Sequence, residues 1–197
     1  MMDLSTLMHQ CAPTVAPVVL KAIIRAESSF DPLALHINGK ARLRSPPKSA
    51  SQAATWSSWL IEHGYSIDLG LMQINSHNLA ALNLTPEGAF DPCQNLRAGA
   101  TVLKAQYVRA KQAGSTDSKA LLQAISAYNT GNFQGGFSNG YVAKVMMNNA
   151  EARGLLTLDM TCLLTNCGSS GFSTHRPAPA YTADTAIGGF GVSVVQP

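Results

Sequence analysis

Pro17-Val18-Val19-Leu20-Lys21-Ala22-Ile23-Ile24-Arg25-Ala26-Glu27-Ser28 is the stretch on which the reading of this chain turns. Pro17 suits a first helical position, where its missing N–H costs nothing. At about 100° per residue, Leu20, Ile23 and Ile24 share one face of the helix. Glu27 falls at the centre of that apolar stripe, while Lys21, Arg25 and Ser28 lie on its flank. A carboxylate that faces a core is costly unless it is paired or neutral. Desolvation raises its pKa, which is what a general acid needs near neutral pH. The competing reading is a helix-end glutamate turned to water.

Around this helix the pattern stays mostly helical through residue 154. Leu4, Leu7, Met8 and Cys11 make a short amphipathic helix stopped by Pro13, and the Glu27 helix is expected to run through about Ser28, with Asp31-Pro32 closing it off. Residues 36–50, with Lys40, Arg42, Arg44 and Lys48, read as a polar basic loop. A helix follows from about Ala50 to His63, capped by Gly64. Ile67–Ile74 is short, apolar and broken by Gly70, so it reads as a hairpin or an irregular segment. A short helix is expected near His77–Leu82. Asp91-Pro92 opens the clearest helix, stepping through Cys93, Leu96, Ala100, Leu103 and Tyr107 to Gly114. Another runs from about Ser118 to Tyr128. Asn132–Gly140 reads as a loop, and a last helix carries Tyr141, Val142, Val145 and Met146 to Gly154. The expected architecture is a mainly α domain over 1–154 with a small irregular or hairpin segment near 65–75. A C-terminal extension over 155–197 follows, flexible from about residue 168, where Gly, Ser, Pro and Ala dominate.

Bulk properties narrow the function. Of 197 residues, 13% are charged and 46% hydrophobic, enough for a real core. The net charge of +3 fits a polyanionic partner but is too small to argue from. No Lys/Arg stripe or aromatic–basic interleaving marks a nucleic-acid surface, and no apolar run reaches a transmembrane length. The histidines are scattered without metal spacing, so no metal or cofactor is expected. Cys11, Cys93, Cys162 and Cys167 match no zinc pattern and allow three pairings if all are oxidised. Met1–Gln10 lacks the basic stretch and apolar core of a secretory signal, so no export route is visible.

Four short motifs occur in order: Glu27-Ser28, then Gly70-Leu71-Met72-Gln73, then Ala127-Tyr128-Asn129-Thr130-Gly131, then Tyr141. As a set they resemble the lytic transglycosylases with a goose-lysozyme-like fold, glycoside hydrolase family 23. The resemblance covers about residues 13–150. Cys11-Ala12-Pro13-Thr14-Val15-Ala16-Pro17, Phe90-Asp91-Pro92-Cys93 and Gly131-Asn132-Phe133 are similar to the branch that serves type IV secretion and conjugation systems. The long insertion between Glu27 and Gly70 fits that branch too.

The resemblance implies a lysozyme-like α+β fold, a periplasmic location, peptidoglycan glycan strands as substrate and type IV secretion components as partners. It makes Glu27 the sole acid–base catalyst. Glu27 protonates the leaving oxygen of the MurNAc-β-1,4-GlcNAc bond, the substrate's own N-acetyl group assists, and the C6 hydroxyl then closes a 1,6-anhydro ring. Proton transfer of this kind contributes about 10²- to 10⁴-fold. Met72, Gln73 and Tyr128 are implied to line the cleft, Ser28 to sit near the acid or the substrate, Asn129 to bind the N-acetyl group and Tyr141 to hold the Glu27 rotamer. Asp31, Glu62, Asp68, Glu87 and Asp91 match no second catalytic motif. Cys11 and Cys93, beside helices expected to pack near the catalytic one, are the first expected disulfide, and Cys162–Cys167 would close a small loop. Trp56 and Trp59 read as helix packing. The rival readings are a hydrolytic lysozyme on the same fold and a peptidoglycan-binding scaffold.

Overall fold

The computed structural model describes residues 3–147. Seven α-helices and one small antiparallel sheet make up this part of the chain. The first helix, Leu4–Cys11 (α1), is capped by Asp3, whose side chain accepts from Thr6 N. The second, Pro17–Ser28 (α2), buries Leu20, Ile23 and Ile24 completely. At roughly 1.5–3 kcal/mol for each such side chain, that face alone anchors the helix. The helix stops at Ser28, its expected end. Ser29 and Phe30, at φ 54° and 71°, turn the chain through the left-handed region ahead of Asp31-Pro32. Non-glycine residues rarely sit there, and such strain concentrates at functional sites.

The polar loop expected over 36–50 is in part a strand. Leu35–Ile37 (β1) pairs antiparallel with Ile67–Leu69 (β2), which pairs in turn with Ile74–Asn75 (β3). The ambiguous 67–74 segment is thus a hairpin. In the rest of the basic loop, Arg42 turns back on its own backbone, donating to Gly39 O at 2.6 Å and Ala41 O at 2.7 Å. Ala50–Glu62 (α3) fits its expected span, with Ser49 as cap. Trp59 on this helix does not pack inward. It is 53% exposed and stacks on His63 with ring centroids 3.9 Å apart. The helix expected near His77–Leu82 is only a 3-10 turn at Ser76–Asn78, followed by further turns.

Pro92–Gln112 (α4) starts at the expected cap, Asp91 Oδ1 accepting from Gln94 N at 2.8 Å. Asp117–Thr130 (α5) packs against it and ends on Gly131. Inside the expected 132–140 loop lies a one-turn helix, Gly135–Ser138 (α6), held by Asn132 Oδ1 and Ser126 Oγ. Tyr141–Met147 (α7) completes the described part. A disulfide joins Cys11 to Cys93, tying α1 to the start of α4 across 82 residues of sequence. Closing so long a loop is worth roughly 2–5 kcal/mol. The end of the last helix at Gly154, the C-terminal extension and the Cys162–Cys167 loop lie outside the described residues.

One buried side chain sets where the sheet meets the helices. Asn95 on α4 is 1% exposed and makes three hydrogen bonds. Its Nδ2 donates to Leu69 O at 2.8 Å and Ala89 O at 2.7 Å, and its Oδ1 accepts from Met72 N at 2.8 Å. The hairpin turn is therefore clamped onto α4. Gly70, at φ 72°, is required at that joint: a Cβ would come within 2.3 Å of Ala89 O.

Candidate active site

A cleft of about 330 Å³ opens between the sheet and the helices. That is the lower end of the range for small-molecule sites, and much of its wall is polar. Its lining includes Glu27 from α2, His36 from β1, Asp68 from β2, Asn75 from β3, Tyr128 and Asn129 from α5, and Tyr141 and Lys144 from α7. Four sequence motifs far apart in the chain thus converge because α2, α5, α7 and the hairpin all present their ends to one space.

Glu27 lies at the last turn of α2. Its carboxyl is pushed up to about 7, chiefly by burial, and further by the charge of Asp68; the Tyr141 hydroxyl and Lys144 pull it the other way. Tyr141 donates a short hydrogen bond to Glu27 Oε1, which leaves Oε2 to carry the acid proton. One helical turn further along α7, Lys144 Nζ donates to Ala26 O at 2.6 Å. A cation there satisfies a carbonyl that the helix end leaves open. Residues 141 and 144 share a face of α7, so one helix face fixes both the end of α2 and the rotamer of its carboxyl. The Tyr141 hydroxyl is itself pushed well above the usual range by burial and by Glu27, so it stays a donor.

Gln73 is in the left-handed region at φ 47°, another strained residue at the cleft wall. Its Nε2 donates to Gly70 O at 2.9 Å and Ala34 O at 3.2 Å. With both N–H groups engaged, the amide has only its carbonyl oxygen to offer a ligand. Tyr128 is 8% exposed and its hydroxyl donates to Met72 O at 2.7 Å. Asn129 lines the cleft, and its Oδ1 accepts from Asn139 Nδ2 at 2.9 Å.

Two of the expected residues are not among those that line the cleft. The Met72 side chain is fully buried and does not line the cleft. It fills the space over Gly99, where a Cβ would meet its sulfur at 2.4 Å. Ser28 is part-buried, its hydroxyl donating back to Ile24 O at 3.2 Å, and it is not among the lining residues.

Sequence reasoning passed over Asp68, Asn75 and His36. Asp68 lies between Ile67 and Leu69, both fully buried. Alternation along β2 therefore turns it to the opposite face, toward the cleft. His36 and Asn75 are its register partners on either side, so one row across the sheet lines the wall. The apolar–polar–apolar triplet was the available signal. Asn95 had one too: with Ala98, Gly99 and Val102 it forms a buried i, i+3, i+4, i+7 set with a polar first member.

The chain matches the transglycosylase SLT domain family over residues 6–150. Protein virB1 of Agrobacterium fabrum is 46% identical over 137 residues, which cover 70% of this chain and 55% of that protein. Type IV secretion system protein virB1 of Brucella abortus is 41% identical over 153 residues, 74% of this chain and 63% of that one. An uncharacterized protein, y4dP of Sinorhizobium fredii, is 29% identical over 141 residues, 66% of this chain and 70% of its own length. The aligned region thus spans little more than half of the virB1 proteins. No solved structure matches.

Proposed function

This chain belongs to the transglycosylase SLT domain family, and from that premise we propose that it cuts the MurNAc-β-1,4-GlcNAc bond of peptidoglycan with Glu27 as acid and then base. The observation that carries this is a carboxyl poised near pH 7 and oriented by Tyr141 in a polar cleft. In the first step Glu27 gives its proton to the leaving oxygen as the C1–O bond breaks, and the substrate's N-acetyl oxygen bonds to C1. In the second, the Glu27 carboxylate takes the proton of the C6 hydroxyl, whose oxygen displaces the acetamido oxygen at C1. Atoms balance without water, and the product is a 1,6-anhydro end. Gln73 and Asn129 are the polar side chains assigned to the sugar substituents, with Tyr128 as a wall. The catalytic unit is residues 1–154, with 155–197 as an extension. The name of the Brucella relative, a type IV secretion system protein, supports a place in such a system, and we assign the work to the periplasm, on local openings in the wall.

A second reading is favoured by one observation: Asp68 lies in the same cleft, so two carboxylates are available, as in hydrolytic glycosidases. Mass spectrometry of fragments released from purified sacculi separates the two. Anhydro ends that vanish in Glu27→Gln are the expected result. Reducing ends, heavier by one water, would make the enzyme a hydrolase. Release unchanged in Glu27→Gln would remove Glu27 from the chemistry.

A further inference from the structure

Asp68 is not an incidental wall residue. It is tied into the cleft by a donor that can face no other way. Asn75, 5% exposed, accepts from His77 N at 3.0 Å through Oδ1, so its amide nitrogen must point across the sheet. There Nδ2 donates to Asp68 Oδ1 at 2.7 Å, with a second contact to Ser66 Oγ at 3.1 Å. The Asn38 side chain and the charges of His36 and His77 also favour the anion. Burial is the larger influence and holds the Asp68 carboxyl above the ordinary aspartate value, while these groups pull it back toward the anion. Glu27 has fewer groups that favour its anion, the Tyr141 hydroxyl and Lys144, whose amine is also engaged with Ala26 O, and it is faced by Asp68 itself. Asp68 thus has more partners for its anion than Glu27 has, an inequality of the kind that divides roles in a two-acid site.

We propose that Asp68 is a second catalytic carboxylate of this cleft: an anion held by Asn75 that stabilises the positive charge developing on the sugar ring as Glu27 protonates the leaving oxygen. The inference rests on glycan cleavage as proposed above. The step needs no bond to Asp68. As the C1–O pair leaves with the Glu27 proton, C1 and the ring oxygen become electron-poor, and a preorganised anion lowers the energy of that state more than that of the neutral substrate. The same anion keeps the Glu27 proton in place until the substrate oxygen takes it. The N-acetyl oxygen or a water can then complete the reaction, so the assignment holds for an anhydro or a reducing product.

The test is steady-state cleavage of solubilised glycan strands by the full chain, comparing wild type, Asp68→Asn, Asn75→Ser and Glu27→Gln across pH. Removing one preorganised electrostatic group typically costs about 10²- to 10³-fold in kcat. Asp68→Asn is expected to show that loss with KM and thermal midpoint near wild type. The basic limb of its kcat/KM profile should move to lower pH, because the charge opposing Glu27 ionisation is gone. Asn75→Ser keeps the Asp68 charge but frees its orientation, and a loss of about tenfold in kcat is expected from the same kind of stabilisation. It carries the test if Asp68→Asn does not melt cooperatively. Asp68→Asn, or in that case Asn75→Ser, with kcat within about threefold of wild type and an unmoved basic limb overturns the proposal. Cleavage abolished in Glu27→Gln but untouched in Asp68→Asn sinks Asp68 alone. No cleavage by the wild type sinks the functional reading beneath it.

Discussion

The helical scaffold and the sheet wall of the cleft are built on opposite terms. In the scaffold, α2, α4 and α5 bury Leu20, Ile23, Leu96, Leu103, Leu121 and Ile125 almost completely, and the Cys11–Cys93 bridge adds a covalent tie. In the wall, three strands of two or three residues carry His36, Asp68 and Asn75 on one face, and Gln73 and Gly70 take left-handed backbone. Strands this short are not stable alone. The wall holds its shape because the scaffold holds it, through Asn95 below the hairpin and Tyr128 beside it. Stability is thus gathered in one region and used in the other, where charge and strain are concentrated.

The largest effect expected from breaking that division comes at the joint. Asn95→Ala removes three buried hydrogen bonds at once and leaves Met72 N, Leu69 O and Ala89 O short of a partner. A buried group left unsatisfied costs roughly 1–3 kcal/mol, so a loss of about 3 kcal/mol or more is expected in chemical denaturation. Cleavage should fall with it, since Gln73 and Asp68 flank the clamped turn. A variant as stable as wild type would show that the hairpin stands without the helix beneath it.

That clamp also marks the limit of what the sequence reveals. The α2, α4 and α5 helices repeat a 3.6-residue pattern over a dozen residues or more, so the pattern is sampled several times. Glu27 was legible because it interrupts such a repeat. β1, β2 and β3 each contain barely one period, and the pairing of His36 with Asp68 depends on residues more than thirty apart. Asp68 therefore looked like one of several acids without a place. Met72 was drawn toward the cleft by its motif neighbours, but Gly99 on α4 makes room for it in the core, and no local pattern discloses that. The left-handed backbone at Ser29 and Phe30, just past the expected helix end, has no local pattern to disclose it either.

A smaller effect, opposite in sign, follows from Glu27. Its carboxyl titrates at about 7 in the fold against an ordinary 4.5. Between those values the folded chain holds a proton that the unfolded chain has released, so stability falls as pH rises through that window and the loss is complete above it. The raised value corresponds to at most about 3 kcal/mol, less whatever water in the open cleft relieves. Glu27→Gln should therefore melt with the wild type near pH 4 and above it near pH 8, by up to roughly 10 °C. Equal midpoints across the range would mean that the scaffold bears no cost for the acid that α2 carries into the cleft, and the contrast between the two regions would fail where they meet.

The smallest change tests whether Tyr128 belongs to the scaffold or to the chemistry. It lines the cleft, yet its hydroxyl is already given to Met72 O. A hydroxyl so engaged can donate to a sugar only by abandoning a buried carbonyl, which costs about as much as the new bond would return. Tyr128→Phe should thus lower stability by about 1 kcal/mol, a few degrees in thermal midpoint, while KM and kcat stay within about threefold of wild type. The ring remains as a wall, and the hairpin loses one of its two ties to the helices. A hundredfold loss of kcat at an unchanged midpoint would reverse the assignment. The hydroxyl would then leave Met72 during the reaction, and the hairpin would be a moving part of the site rather than a fixed wall.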